Sequence, residues 1–395
     1  MTVPQEDARP GLPPELLNND PQGFAWGVWH DRAPKLVTQV RDAHPYGPGQ
    51  RRALEALLAE VASGVMEPLS PHAHDHELWA SWGADYFGKP WLDAPFLWSE
   101  SYFYRRLLDA IGFFEPGAWR WLDPFEYLKS AELRDPGLEP GLTALDDLQH
   151  LSADGRERAI LLASLWGNRA DLGFRIGASS GQGDITSSRI IVDQSADMWA
   201  ALGPGASAIL VTDNAGRELL TDLVLIDHLL QRRDLESVSL HVKPYPYYVS
   251  DATTADVVAC LRRLAATRGT ASEIAHRLHT AMAEGSVSLY THEFYCAPWS
   301  FHRMPADLAT QFGRASLTLL KGDLNYRRLV GDRDWPPTTP FTEVTAYLPG
   351  PLATLRTLKS DVITGLDQAT LAELDATGQP WRTDGSHGLI QVRLR

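Results

Sequence analysis

The sequence predicts an α/β protein, a three-layer α/β/α sandwich on a mostly parallel sheet, preceded by an N-terminal helical domain. Two patterns carry this expectation. Up to about residue 150, apolar residues recur at helical spacing between Pro-rich loops; beyond it, short β-branched runs alternate with amphipathic segments. Composition agrees: 395 residues, 44% hydrophobic with 13 Trp, 12 Tyr and 12 Phe, suffice to bury a large core in one large or two closely packed domains.

Taken in order, residues 1–20 (MTVPQEDARPGLPPELLNND) are Pro-rich and acidic and read as a flexible terminus. Residues 21–150 are expected to be helical, because PKLVTQVRDAH, GQRRALEALLAEVASGVM and SESYFYRRLLDAIGFF each repeat apolar residues along one helix face. Within this part LRDPGLEPGLTALDDL, rich in Pro, Gly and Asp, is the expected linker. Residues 151–395 are expected to form the sandwich. RIIVDQ, AILVTDN and SVSLHVKPYPYYV read as strands, each leading into a helical segment. ASLTLLKGD leads into a turn or short helix at NYRRLV, and TEVTAYL reads as a strand before a helix in ATLRTLKSDVITGL. Strand followed by helix, repeated, gives a parallel sheet because the return crossover lays a helix on its face.

The net charge of −14 argues against general binding to nucleic acid or anionic membranes, whose phosphates such a surface repels. A phosphate site must then be local. With only Cys260 and Cys296, no disulfide framework is expected, and a reducing, cytoplasmic setting is the simpler assumption. The amino terminus lacks the basic start and apolar stretch of a signal peptide, and nowhere do about 18 apolar residues run together. GxxxxGK[ST] and HExxH are absent, and GASSGQGD has the glycines of a phosphate loop but not its ending. His72, His74 and His76 alternate in PHAHDHELW; that spacing does not place them on one helix face, so they read as a solvated loop.

In an open parallel sheet the ligand crevice lies beyond the carboxyl ends of the strands. Asp213 and Asn214 follow AILVT, Asp251 follows HVKPYPYYVS, and Lys321, Asp323, Asn325 and Arg327 end or follow LTLL. Each has an ordinary reading: Asn214 and Asp251 as helix caps, the bases as solvated surface charges. Convergence at successive strand ends favours the functional one. Two carboxylates and an amide oxygen are hard ligands suited to Mg²⁺, Mn²⁺ or a similar ion. Lys321, Arg327 and Lys359 supply positive charge for a phosphoester.

Several ordered stretches then carry a resemblance: WSESYFYRRLLDAIGFF, DPFEYLK, LWGNRADL, VTDNAGRELLTDLVLIDHLL, HVKPYPYYVSDAT, KGDLNYRRLVGDRDW and LRTLKSD. With these the chain resembles, over most of its length, the damage-control phosphatases of the domain-of-unknown-function 89 superfamily, in the acidic residue methyltransferase 1-like branch. The resemblance implies an α/β/α sandwich with an added helical domain and metal ligands at Asp213, Asn214 and Asp251. It also implies substrate contacts from Asp323 to Arg327 and from Lys359, the last residue of an RTxK motif that marks the sugar-phosphate branch. Glu100, Asn168 and Asp171 lie in the same motif blocks and are expected to line the pocket.

The implied reaction is metal-dependent hydrolysis of a sugar phosphate such as fructose 1-phosphate or fructose 6-phosphate, with Mn²⁺, Co²⁺ or Ni²⁺ often favoured over Mg²⁺, as removal of a misplaced metabolite. GFAWGVWHDRAPKL and HGLIQVRLR depart from the family pattern at places that bear on the pocket rim. Either a water activated at the ion or the Asp213 carboxylate serves as nucleophile; the DNAG context of Asp213 lacks the DxD pattern of haloacid-dehalogenase phosphatases, which tilts the reading to water. Two alternatives stand beside hydrolysis. One is S-adenosylmethionine-dependent protein carboxyl methylation, for which no glycine-rich loop of the usual kind is present; the other is a repurposed enzyme or sugar-phosphate binder that keeps the metal site.

Overall fold

A computed structural model describes residues 11–167 and 189–394. Its amino-terminal part is helical. Helices α1 (Ala33–Ala43) and α2 (Pro48–Ser63) each carry proline in the first turn, where its missing N–H costs nothing. Helix α1 packs on α2, and α2 packs on α3 (Phe96–Ile111), which is buried almost all round and is therefore the centre of this layer. Around α3 the tryptophans interlock: Trp29 meets Phe103 edge-on at 5.7 Å and Trp79 lies 5.2 Å from Tyr102. After α4 (Glu126–Arg134), the stretch expected to be a linker instead folds into three short helical turns: Pro136–Leu138, Glu139–Thr143 and Ala144–His150. Its prolines sit at helix starts, and Leu138, Leu142, Leu145 and Leu148 are buried in the adjoining core, so apolar spacing prevailed over turn-forming composition.

The remainder is built on a seven-stranded sheet with order β1-β7-β6-β5-β2-β3-β4. The strands are β1 (Ile190–Asp193), β2 (Ser207–Val211), β3 (Ser237–Val242), β4 (Val287–Thr291), β5 (Leu317–Lys321), β6 (Leu352–Thr357) and β7 (Gly388–Arg393). All neighbours are parallel except β6 and β7. Alternation along the strands separates two cores. Ala208, Leu210, Leu240, Leu317 and Leu319 pack with α5 (Ala153–Trp166), α6 (Arg217–Arg232), α7 (Thr254–Ala265) and α8 (Thr270–Glu284). Ile209, Val211 and Leu320 face Phe312, from α9 (Ala306–Arg314), and Tyr326 and Leu329, from α10 (Gly322–Val330). Both faces are thus covered, as the α/β/α expectation requires.

The carboxyl-terminal order is corrected. Phe341–Val344, overlapping the start of the stretch expected as a strand, is a helical turn entered from Pro340, and the strand is β6, overlapping the start of the stretch expected as a helix. All of Leu352 to Arg356 is buried between β5 and β7, so no solvent-facing alternation marks the run as a strand. The ending HGLIQVRLR supplies β7, which fills the place between β6 and β1. Among the described residues no helix is long and apolar enough to cross a membrane.

From β2 the chain builds outward through β3 and β4, then returns to place β5 and β6 on the other side. The order therefore reverses between β2 and β5, where a crevice opens beyond the strand ends.

Candidate metal and phosphate site

Two backbone segments are zipped together at this reversal. Asn214 and Asp251 form an antiparallel bridge, Ala252 N–H donates to the Asp213 carbonyl at 2.9 Å, and Ala215 N–H donates to the Ser250 carbonyl at 2.7 Å. Neither Asn214 nor Asp251 caps a helix. Helix α6 starts from Gly216 without a side-chain cap, and α7 starts from Thr253, whose capping box is completed by Asp256. The capping alternative therefore fails at both positions. The Asn214 amide donates to Asp213 Oδ2 at 2.8 Å and to Glu218 Oε2 at 2.9 Å, while its oxygen accepts from Ser250 Oγ. The Asp251 carboxylate accepts from Tyr248 N–H at 2.7 Å and faces Lys243 Nζ at 3.8 Å.

Beyond β5 the chain approaches Asp213 as closely as glycine allows. Gly322 has φ +81°, and a Cβ there would lie 1.9 Å from Asp213 Oδ2. From the helical layer, α4 sends Lys129, whose ammonium donates to the Asp251 carbonyl at 2.8 Å and to Asp123 and Asp256, both at 2.9 Å.

Burial, then Glu218 and Asp251, push the Asp213 carboxyl well above the usual range, against the opposing charges of Lys359 and Lys243. Among the described residues no group of three or more His, Cys, Asp or Glu stands in a metal-ligating arrangement. The candidate set is instead two carboxylates and an amide. Its donor chemistry fits a hard divalent cation, and the negative charge crowding Asp213 is what such a cation would relieve.

The basic residues divide in two. Lys321, 0% exposed, donates to Ser164 O at 2.6 Å and Asp222 Oδ1 at 2.7 Å and lies 3.3 Å from Glu218 Oε1. Burial lowers its pKa, but Asp222 and Glu218 outweigh that and raise it, so the ammonium stays charged and engaged. Arg327, 3% exposed, is gripped by Asp332 at 2.7 and 2.9 Å and by Glu100 at 3.0 Å. Asn325 donates to the Thr212 and Lys321 carbonyls and so ties the ends of β2 and β5. Asp323 accepts from Arg356, from Ser360 and from the Lys359 backbone N–H, and although burial pushes its carboxyl up, Arg356 and Arg327 hold it below the ordinary value. The expectation that Lys321 and Arg327 meet phosphate directly is therefore revised, because their donors are engaged by carboxylates that shape the crevice wall; Asn325 Oδ1, by contrast, is buried without a hydrogen-bond partner among the described residues, and the bonds Asp323 accepts all fall on its Oδ1. Lys359 differs. Its side chain makes no hydrogen bond or ion pair with another described residue, and its charge acts on Asp213.

Two site residues escaped the sequence reading. Glu218 lies four residues after Asn214, one turn into α6, a spacing the helix pattern could have flagged. Lys243 directly follows β3, where the strand-end rule points; it is buried between the rings of Tyr247 and Tyr295, 5.8 and 5.7 Å away. Glu100 reaches the site from α3 as the partner of Arg327. Asn168, Asp171 and the GASSGQGD stretch lie outside the described residues. His72 and His74 are exposed, and His76 Nδ1 lies 2.9 Å from the Leu69 carbonyl.

Residues 28–374 match the family described as the damage-control phosphatase ARMT1-like domain. The damage-control phosphatase ARMT1 of Danio rerio is 29% identical over 96% of this chain and 97% of its own length, and that of Xenopus tropicalis is 30% identical over 93% and 96%. The Homo sapiens protein is 29% identical over 96% of this chain and 98% of its own. A solved structure of a DUF89 family protein from Pyrococcus horikoshii aligns with a TM-score of 0.49 at 15% identity, covering 94% of this chain and 98% of that one.

Proposed function

The chain belongs to the damage-control phosphatase ARMT1-like family, and on that premise we propose that it is a divalent-metal-dependent phosphomonoester hydrolase acting on a sugar phosphate, such as fructose 1-phosphate or fructose 6-phosphate. One observation carries the reading. Asp213, Asn214, Glu218 and Asp251 converge where the strand order reverses, and the surplus of negative charge there lifts the Asp213 carboxyl.

Asp213, Asn214 and Asp251 would hold the ion, Mn²⁺, Co²⁺, Ni²⁺ or Mg²⁺. When bound, such an ion supplies Lewis-acid stabilisation of charge on the phosphoryl oxygens. The protein's own part is positioning and fixed charge. Glu218 holds the Asn214 amide from one side and Ser250 holds it from the other. Lys321, tied to Asp222 and Ser164, fixes Glu218 in turn. Lys243 and Lys359 are the ammonium groups whose charges oppose the lifting of Asp213, and they neutralise phosphate oxygens left uncovered. The amino terminus of α10, beside Asp213, adds backbone N–H groups oriented for an anion. Cys260 and Cys296 are free and buried, which supports a reducing, cytoplasmic setting.

The test is phosphate release from a panel of sugar phosphates and an aryl phosphate, with each ion or with chelator, comparing the native chain with Asp213→Ala. Metal-restored turnover that Asp213→Ala abolishes is the expected result. Turnover indifferent to chelator, or retained in Asp213→Ala, refutes the assignment.

A further inference from the structure

Residues 24–32 bridge the two walls of the crevice. At one end Phe24 N–H donates to Asp361 Oδ2 at 3.0 Å, two residues beyond Lys359. Phe24 also meets Phe96 edge-on at 5.8 Å, and Val28 packs in the same small cluster on Phe96. Trp29 then lies 5.7 Å from Phe103. The segment therefore runs along the α3 stripe that carries Phe96, Glu100, Phe103 and Tyr104 at helical spacing. This stripe faces the site. Arg327 lies over Phe96 at 4.3 Å and binds Glu100, and Tyr104 stacks at 4.5 Å on Tyr248, whose N–H donates to Asp251.

The segment contains one π-helical stretch, Val28–Arg32, closed by Ala33 N–H on the Val28 carbonyl. An extra residue in a helical turn redirects the side chains after it, and such stretches are frequent at functional sites. Its last residue is Arg32. This guanidinium is exposed and makes no hydrogen bond or ion pair with another described residue, while its charge bears on both Glu100 and Tyr104. The buried arginine of the same wall, Arg327, has two carboxylates to itself. An exposed arginine with free donors, at the end of a segment packed along the α3 stripe that faces the site, is placed to bind oxygen acceptors in a fixed geometry.

We infer that Arg32 is a specificity-determining residue that recognises oxygen acceptors on the part of the substrate remote from the scissile phosphate, either sugar hydroxyls or a second phosphate. This rests on the phosphatase reading above. It also gives a purpose to a stretch, GFAWGVWHDRAPKL, that the metal and phosphate chemistry leaves unused.

The experiment compares the native chain with Arg32→Gln and Arg32→Lys by steady-state kinetics with Mn²⁺ on an aryl phosphate, a hexose monophosphate and a hexose bisphosphate. Arg32→Gln is expected to raise KM about tenfold for the sugar substrates, with kcat little changed and the aryl phosphate unaffected, as loss of a charged hydrogen bond predicts. Arg32→Lys is expected to recover part of the loss. A rise on both sugars assigns the contact to hydroxyls; a rise on the bisphosphate alone assigns it to the second phosphate. Unaltered sugar KM in Arg32→Gln, or an equal loss on the aryl phosphate, overturns the inference while the phosphatase reading stands. Inactivity of the native chain on every substrate removes that reading and this inference with it.

Discussion

Replacing Gly322 by alanine tests the central contact of the site. Two effects should add. First, Gly322 has φ +81°, where an L side chain costs about 1–2 kcal/mol. Second, the added Cβ would stand 1.9 Å from Asp213 Oδ2 and 2.1 Å from its Cγ, against an ordinary contact of 3.4–4 Å. Either the carboxylate or the start of α10 must give by more than an ångström. Asp213 is buried and tied to Asn214, so it cannot swing freely into solvent. Misplacing a reacting group by 1 Å costs about 10²-fold in rate, or about 3 kcal/mol of transition-state stabilisation. Gly112→Ala is the matched control, since Gly112 has φ +80° with nothing within 4 Å of the added Cβ. Both variants should lose stability to backbone strain in guanidinium denaturation, Gly322→Ala more than Gly112→Ala because of the added clash. Only Gly322→Ala should lose about 10²-fold in kcat/KM for Mn²⁺-supported phosphate release, with weakened Mn²⁺ binding by calorimetry. If Gly322→Ala turns over as fast as Gly112→Ala, the close approach of β5 to Asp213 has no role in the reaction.

Lys243→Met should lower kcat about 10²-fold in the same phosphate-release assay, with Met filling the slot between Tyr247 and Tyr295 but leaving the buried Asp251 carboxylate without its ammonium; unchanged kcat would remove Lys243 from the charge set. Lys129→Met leaves the Asp123 and Asp256 carboxylates and the Asp251 carbonyl without their shared donor, and should cost about 3–5 kcal/mol by denaturant titration; an unshifted midpoint would count against that accounting. His241 is held neutral by burial, which lowers its pKa from 6.5 to about 3. A depressed folded-state pKa contributes stability that is fully present above about pH 6.5 and is lost as pH falls towards 3, up to about 5 kcal/mol for this group. His241→Gln should therefore flatten the acid limb of the stability profile, and an unchanged slope between those pH values would contradict it.

The parallel sheet was legible because its information is local: a β-branched run, a turn and an amphipathic helix each announce themselves within about twenty residues. The strand-end rule likewise led to Asp213, Asn214 and Asp251, which the fold brings together. What was not legible depends on distant partners. β6 is buried on both faces by neighbours that include the last strand of the chain, so its run shows neither helical nor strand periodicity. The engagement of Lys321 is set by Asp222 and Ser164, 99 and 157 positions away, and that of Arg327 partly by Glu100, 227 positions away.

Those partners change what each charge can do. Read along the chain, Lys321, Arg327 and Lys359 are three equivalent phosphate ligands. In the fold, two of them stand against Asp222, Glu218, Glu100 and Asp332, whereas Lys359 has its backbone fixed by Asp323 and its ammonium without a described partner. Lys243 takes a place in the set because its nearest anion, Asp251 at 3.8 Å, is itself a metal-ligand candidate. A carboxylate committed to a cation has less charge to offer an ammonium beside it. A loaded site would thus loosen the hold of Asp251 on Lys243, so the two carboxylates proposed to hold the ion, Asp213 and Asp251, would also govern how much positive charge is free for the substrate.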